Sequence, residues 1–146
     1  MKDGQIAGII PETTQPEKRN TMPDVPVIMV VEDDAEMNEL QRELLAIHNM
    51  DSFPAYTGKE ALDLFRQKKV DGILLDIMLP EMDGFETCCK LRDIAENPRL
   101  PIIMITAMNE SSSIERGYRS GANAFFVKPF SPDEIVQTLR QLLAVT

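Results

Sequence analysis

The sequence predicts an α/β protein built on a doubly wound parallel sheet of five strands. Short apolar runs alternate with longer segments whose apolar residues recur at helical spacing, and this alternation occurs five times between residues 26 and 146. Strands that alternate with helices imply right-handed crossovers, which place helices on both faces of a parallel sheet. Five such units are too few for an eight-stranded barrel, so an open sheet is expected.

The predicted strands are short apolar runs, as expected of strands that are buried on both faces. In chain order they are Val27–Val31, Ser52–Tyr56, Ile73–Leu75, Ile102–Ile105 and Ala124–Val127. Pro54 interrupts the second strand, and proline within a sheet is tolerated mainly at an edge. We therefore predict the strand order 2-1-3-4-5, a flavodoxin-like arrangement with the second strand at an edge.

The predicted helices connect these strands, and each carries apolar residues on one face. In chain order they are Asp34–Asn49, Gly58–Lys68, Gly84–Glu96, Ser111–Ser120 and Pro132–Ala144. The inward face of the first helix is predicted to consist of Met37, Leu40, Leu44, Leu45 and Ile47. Asp34 suits a helix cap as well as it suits a functional role.

The composition is that of a small acidic globular protein. The chain has 146 residues, of which 43% are hydrophobic and 27% charged, and its net charge is −9. An acidic surface is a poor match for nucleic-acid phosphates or anionic lipid, so we expect neither nucleic-acid nor membrane binding. The two adjacent cysteines cannot form a disulfide framework, and no apolar run is long enough to span a membrane, which together predict a cytoplasmic location.

Residues 1–25 differ in composition from the rest of the chain. They hold three of the ten prolines and no periodic apolar pattern. We expect them to form a flexible N-terminal extension or linker, followed by one folded domain at residues 26–146. Because the extension is short and unpatterned, any output domain is expected to belong to a partner.

Polar residues follow four of the five predicted strands at the point where each strand ends. Glu32 and Asp33 follow the first, Asp76 the third, Thr106 the fourth and Lys128 the fifth. In an open parallel sheet, ligands bind beyond the carboxyl ends of the strands. These side chains are therefore predicted to converge on one site, although nearly the whole domain separates the first from the last.

The residue types at this site indicate phosphoryl chemistry. Clustered carboxylates repel one another unless a cation intervenes, and an oxygen-only cluster suits Mg²⁺. A lysine and a hydroxyl opposite the metal complete the groups that stabilise a phosphoryl group during transfer. In the absence of a Ser–His or Cys–His nucleophile, the acceptor is expected to be a carboxylate, and Asp76 is central in the sheet.

At these positions the sequence resembles the receiver domain of two-component response regulators, in the form of a chemotaxis-type single receiver. The resemblance spans about residues 26–144 and depends on four stretches in order, each at a strand end. They are Val30–Asp34, Leu75–Pro80 with Met82–Gly84, Ile105–Ala107 and Phe125–Phe130.

The resemblance implies a role for each site residue. Asp76 is the implied phosphoacceptor, which takes a phosphoryl group from a histidine kinase or a histidine phosphotransfer protein. Glu32 and Asp33 are the implied acidic pair, with Asp33, Asp76 and the backbone carbonyl of Met78 as ligands of Mg²⁺, for which Mn²⁺ is an expected substitute. Lys128 binds the phosphoryl oxygens, and the peptide bond between Lys128 and Pro129 is expected to be cis.

The resemblance also implies a conformational switch. Thr106 and Phe125 match the switch pair of the family, in which the hydroxyl moves to the phosphoryl group and the ring turns inward. This remodels the surface formed by the fourth helix, fifth strand and fifth helix, where a downstream protein partner is expected to bind. Homodimerisation through the same surface is left open. Such a domain is a phosphoacceptor that assists its own phosphorylation and dephosphorylation, and not an enzyme.

Three positions depart from or vary within the pattern of the family. Met78 and Met108 are apolar where related receivers often carry polar groups that assist the hydrolytic water. We therefore advance the hypothesis that the phosphoaspartate hydrolyses slowly. Phe125 replaces a frequent tyrosine and so removes one hydroxyl from the partner surface.

Two alternatives from other functional classes are weighed against this interpretation. An aspartyl-nucleophile, Mg²⁺-dependent phosphohydrolase typically has a second aspartate two residues after the nucleophile, where this chain has Met78. A flavin carrier shares the sheet order, but its first strand-to-helix turn has to bind phosphate, and Glu32–Ala35 is acidic. Both are disfavoured.

Overall fold

A computed structural model of the protein describes residues 25–107 and 111–145. Its strands are β1 (Val27–Val31), β2 (Asp51–Ala55), β3 (Gly72–Leu75), β4 (Ile102–Thr106) and β5 (Ala124–Val127). Its helices are α1 (Ala35–Ile47), α2 (Gly58–Gln67), α3 (Gly84–Ile94), α4 (Ser111–Arg119) and α5 (Pro132–Leu143). Met108 and the predicted extension, apart from Val25, lie outside the described residues.

The five strands form one parallel sheet in the order β2-β1-β3-β4-β5, which confirms the predicted fold class and topology. β2 lies at an edge and contains Pro54, which pairs in register with Val30 of β1. Within the described ranges, no helix combines the length and the apolar character that a bilayer crossing requires.

The core lies on both faces of the sheet because successive strand side chains point to opposite sides. On one face Met29, Leu75 and Met104 pack with residues of α2 and α3. On the other face Val30 and Leu74 pack with residues of α1 and α5. β3 and β4 are buried along their whole length, as the continuous apolar runs predict.

The predicted inward face of α1 is wrong in part. Leu40 and Ile47 are 57% and 76% exposed. The buried residues of the helix are Asn38, Gln41 and Leu45, whose spacing of three and four places them on one face. The sequence pattern was misleading because two buried positions are polar amides, which hydropathy assigns to the surface.

Asp34 caps α1. Its side chain accepts hydrogen bonds from the backbone N–H groups of Glu36 and Met37, at 3.0 and 3.2 Å. This arrangement satisfies two of the donors that a helix start leaves unpaired. α1 therefore begins immediately after the acidic pair and fixes where the chain leaves the end of β1.

Candidate functional site at the carboxyl ends of the strands

Three carboxylates meet where the central strands end. Glu32 and Asp33 follow β1 and Asp76 follows β3, and the two strands are neighbours with Val31 in register with Leu75. One carboxylate oxygen from each of these acids lies within 4.8 Å of the others. Glu32 and Asp76 are buried, whereas Asp33 is exposed. The structure thus brings together the acids that the sequence predicted would converge.

Lys128 reaches this cluster from the end of β5. Its Nζ donates to Glu32 Oε1 at 3.0 Å and to Asp76 Oδ2 at 3.4 Å. The Lys128 backbone N–H donates to the Thr106 carbonyl at 2.7 Å, which ties the chain after β5 to the end of β4. The peptide bond between Lys128 and Pro129 is cis.

The Lys128 ammonium group faces two buried carboxylates, those of Glu32 and Asp76, and the pKa of Glu32 is raised in this environment. Burial, followed by repulsion from Asp76, raises the pKa of Glu32 to about 7. Hydrogen bonds from Lys128 and from the Asp34 backbone oppose the shift without cancelling it. Burial alone would lower the pKa of Lys128, but its contacts with Glu32 and Asp76 outweigh that effect and raise it. The cluster can therefore accommodate further positive charge.

We expect Glu32→Gln to gain stability relative to the wild type as the pH rises, when no divalent cation is present. A carboxyl group whose pKa is raised on folding stabilises the fold below its unfolded pKa of 4.5, and that contribution is lost as the pH rises through about 7. Relative to the wild type, the free energy of unfolding of Glu32→Gln should rise by about 2 kcal/mol between about pH 5 and pH 8. Urea unfolding in EDTA measures this difference.

The control for this prediction is Glu39→Gln, because Glu39 is an exposed residue of α1. That variant makes the same chemical change outside the cluster. A stability difference between Glu32→Gln and the wild type that did not vary with pH would contradict the prediction.

The loop after β3 orients the Asp76 carboxylate. The Met78 backbone N–H donates to Asp76 Oδ1 at 3.1 Å, and the Gly84 N–H closes the loop on the Ile77 carbonyl at 2.8 Å. A Cβ atom at Gly84 would lie 2.5 Å from the Asp76 carbonyl oxygen and from Ile77 Cα. The start of α3 thus packs directly against the backbone of Asp76, and glycine is required there. The Met78 side chain is 59% exposed.

Thr106 and Phe125 lie on the adjacent strands β4 and β5. Thr106 ends β4 and is fully buried, whereas Phe125 in β5 is half-buried. Phe125 packs against α4, where a Cβ atom at Gly117 would lie 2.8 Å from its ring and 3.0 Å from Met104 Sδ. The absence of a side chain at Gly117 is therefore what lets the ring rest against α4.

Asn38 is a residue of this region that the sequence reasoning missed. Its side chain is fully buried directly behind the acidic pair, and its amide bonds to the ends of β1 and β2. The spacing of Asn38, Gln41 and Leu45 was the available signal, since these residues share a helix face. It was concealed by the more apolar stripe next to it.

Comparison with known proteins agrees with this architecture. The family model described as the response regulator receiver domain matches residues 28–140. The transcriptional regulatory protein SrrA of Staphylococcus aureus is 40% identical over 119 residues, which cover 82% of this chain and 48% of SrrA. The chain thus spans about half the length of the curated relatives that it matches.

Solved structures give the same result. The receiver domain of the Francisella response regulator 1452 is 29% identical, with a TM-score of 0.75, over 82% of this chain and 98% of that one. The chemotaxis protein CheY4 of Vibrio cholerae is 26% identical, with a TM-score of 0.76, over 82% of this chain and 99% of that one. From the match to the family model and the identity with SrrA, the chain belongs to the family of response regulator receiver domains of two-component signalling.

Proposed function

We propose that Asp76 accepts a phosphoryl group from the phosphohistidine of a histidine kinase or of a histidine phosphotransfer protein. The observation that carries the proposal is the position of its carboxylate at the end of the central strand β3, 3.4 Å from Lys128 Nζ and grouped with two further acids. In the transfer, the phosphorus–nitrogen bond of the donor breaks and a phosphorus–oxygen bond to Asp76 forms. The imidazole leaves with the bonding electron pair.

The donor set fits Mg²⁺. Glu32, Asp33 and Asp76 offer only carboxylate oxygens, which are the ligands that Mg²⁺ prefers. Repulsion from Asp76 adds to burial in raising the pKa of Glu32, and a bound cation would offset that repulsion. We assign Asp33 and Asp76 as direct ligands together with the Met78 carbonyl, with Glu32 completing the acidic pair and Mn²⁺ as a substitute. When bound, the ion supplies charge that offsets the charge of the phosphoryl oxygens.

The residues of the chain itself position and stabilise the transferred group. The Met78 N–H holds Asp76 Oδ1, so the other oxygen, Oδ2, is the one that faces Lys128. Lys128 already contacts that oxygen and is placed to donate to the phosphoryl group once it is attached. Asp33 and Met78 also line a cavity beside the cluster, into which the donor imidazole would enter.

The proposed output is a change of the surface formed by α4, β5 and α5. The Thr106 hydroxyl is expected to move toward the phosphoryl group, and the Phe125 ring is expected to turn inward into the space that the hydroxyl leaves. Gly117 supports this assignment because it gives the ring a smooth surface to rest on before it turns. A downstream protein that binds this surface would then distinguish the two states. A second copy of the chain is the other candidate partner for this surface.

The test of this function uses the wild-type chain with Mg²⁺ and acetyl phosphate as a small-molecule donor. Intact mass spectrometry should show the gain of one phosphoryl group, and EDTA should prevent it. Beryllofluoride, a phosphoryl mimic, should shift the NMR signals of Thr106 and Phe125. A chain that gains no phosphoryl group under these conditions would refute the proposal.

We expect the phosphoaspartate to persist for minutes to hours. Met78 carries no polar group that could assist a hydrolytic water beside Asp76, and Met108, the other apolar position in this hypothesis, lies outside the described residues. Met78→Asn should shorten the lifetime by about tenfold, which is less than the roughly 100- to 10,000-fold that a fully positioned general acid or base contributes. The donor is first removed by exchange of the protein into fresh buffer that contains Mg²⁺. Decay is then followed by intact mass. A wild-type lifetime of seconds would contradict the hypothesis.

A further inference from the structure

A buried amide ties together the ends of β1 and β2 behind the acidic cluster. The Asn38 side chain has no exposed surface. Its Nδ2 donates to the carbonyl oxygens of Val30 and Glu32, each at 3.0 Å, and lies 3.4 Å from that of Ala55. A single side chain in α1 thus contacts the carboxyl ends of both β1 and β2.

This amide completes the fixation of the Glu32 backbone. The Glu32 N–H donates to the Ala55 carbonyl at 3.0 Å, and the Glu32 carbonyl accepts from Asn38. Both backbone polar groups of this residue are therefore held, and the residue is only 2% exposed. With its backbone fixed in this way, Glu32 directs its carboxylate to Lys128.

Arg42 determines which way the Asn38 amide points. Its Nε donates to Asn38 Oδ1 at 2.8 Å. Because the oxygen is engaged by Arg42, the amide nitrogen has to face the three strand carbonyls. The orientation is chemically required as well, since an amide oxygen in the place of Nδ2 would face only other acceptors.

We propose that Asn38 is a positioning residue for the Mg²⁺ and phosphoryl site, which it serves by holding Glu32 and the end of β1 in place, with Arg42 fixing its amide. The inference rests on the proposed function and deepens it. The Glu32 carbonyl that Asn38 binds belongs to the peptide group joined to Asp33, which is an assigned ligand of the ion. Residues that hold metal ligands in place typically alter metal affinity by about 10–100-fold when they are replaced. The effect of Asn38 should thus exceed that of an equally buried amide elsewhere on the same helix face.

Gln41 provides that matched control. It lies on the same face of α1, three residues further along, and it is 6% exposed. Among the hydrogen bonds of the described residues, none joins its amide to the end of β1 or β2. Gln41→Leu therefore removes a buried amide from this helix face without releasing Glu32.

The experiment measures the Mg²⁺ dissociation constant of each variant by isothermal titration calorimetry, because the chain contains no tryptophan as a fluorescent reporter. Urea unfolding establishes the conditions under which each variant is folded. We expect Asn38→Leu to bind Mg²⁺ about tenfold more weakly than the wild type, and Gln41→Leu to bind within about twofold of it. A purely structural role would lower stability and leave the affinity of the folded protein unchanged.

Arg42→Met keeps the proposal falsifiable if Asn38→Leu does not fold, because Arg42 is only half-buried. It should weaken Mg²⁺ binding by about threefold, since the amide keeps its bonds to the carbonyls but loses the partner of its Oδ1 and with it one of the two constraints on its position. Equal Mg²⁺ affinities of Asn38→Leu and Gln41→Leu would overturn the proposal. If Asn38→Leu does not fold, an Mg²⁺ affinity of Arg42→Met equal to that of the wild type would overturn it. If the wild type itself bound no Mg²⁺, the proposed function would fail first, and the two failures are thereby distinguished.

Discussion

Asp76→Asn should gain no phosphoryl group under conditions that phosphorylate the wild-type chain completely. An amide oxygen is a far weaker nucleophile than a carboxylate oxygen, so the bond to phosphorus does not form. The substitution preserves the shape of the side chain and keeps an oxygen to which the Met78 N–H can donate, so the fold should persist. Intact mass after incubation with Mg²⁺ and acetyl phosphate measures the effect, and circular dichroism verifies folding.

Asp34→Asn is the matched control for this substitution. Asp34 lies two residues after Glu32 and is exposed, so its replacement removes one negative charge close to the same cluster. Asparagine caps a helix about as well as aspartate does, and α1 should be unaffected. Phosphorylation should therefore proceed in Asp34→Asn. A phosphoryl group gained by Asp76→Asn would show that another carboxylate is the acceptor.

Gly84→Ala should destabilise the protein by about 1–3 kcal/mol and slow its phosphorylation. The added methyl group would lie 2.5 Å from the Asp76 carbonyl oxygen and from Ile77 Cα. These are backbone atoms that cannot retreat without moving Asp76, and overpacking of this kind typically costs about 1–3 kcal/mol or more. The helix propensity of alanine exceeds that of glycine by about 1 kcal/mol and offsets only part of this.

Gly72→Ala separates the backbone clash from a general effect of glycine replacement. A Cβ atom at Gly72 would meet Ile28 Cδ1 at 3.1 Å and Leu139 Cδ2 at 3.3 Å, which are the ends of flexible side chains. We expect a loss of about 1 kcal/mol or less and an unchanged phosphorylation rate. Urea unfolding and the rate of mass gain with acetyl phosphate measure both variants. If Gly84→Ala proved as stable and as reactive as Gly72→Ala, the contact would not be essential.

The sequence was sufficient to predict the sheet because its signals there are local and strong. The runs at β3 and β4 are continuously apolar, so they identify buried strands without knowledge of their neighbours. Pro54 allowed the edge position of β2 to be predicted, because the backbone N–H that proline lacks is not needed on the outer side of an edge strand. The face of α1 was harder to predict, because Asn38 and Gln41 are buried by hydrogen bonding and packing that no hydropathy pattern records.

The same contrast applies to the candidate site. The topology alone brings Glu32, Asp76 and Lys128 together, since each follows the carboxyl end of a parallel strand and these ends lie side by side. The supporting contacts were not predictable, because no sequence motif marks them and they depend on how each helix packs against the sheet. The fit of Gly117 beneath the Phe125 ring and the bond from Asn38 to Glu32 become visible only once the helices are packed.

The edge strand β2 has a further consequence for how the protein behaves at high concentration. An edge strand offers unpaired backbone groups to which the sheet of another molecule can add, a common route to aggregation. Pro54 withholds one donor from this strand, Asp51 is an exposed acid at its start, and the Lys68 ammonium lies 5.3 Å from the centre of the Phe53 ring. β2 is therefore a poor template for intermolecular sheet growth.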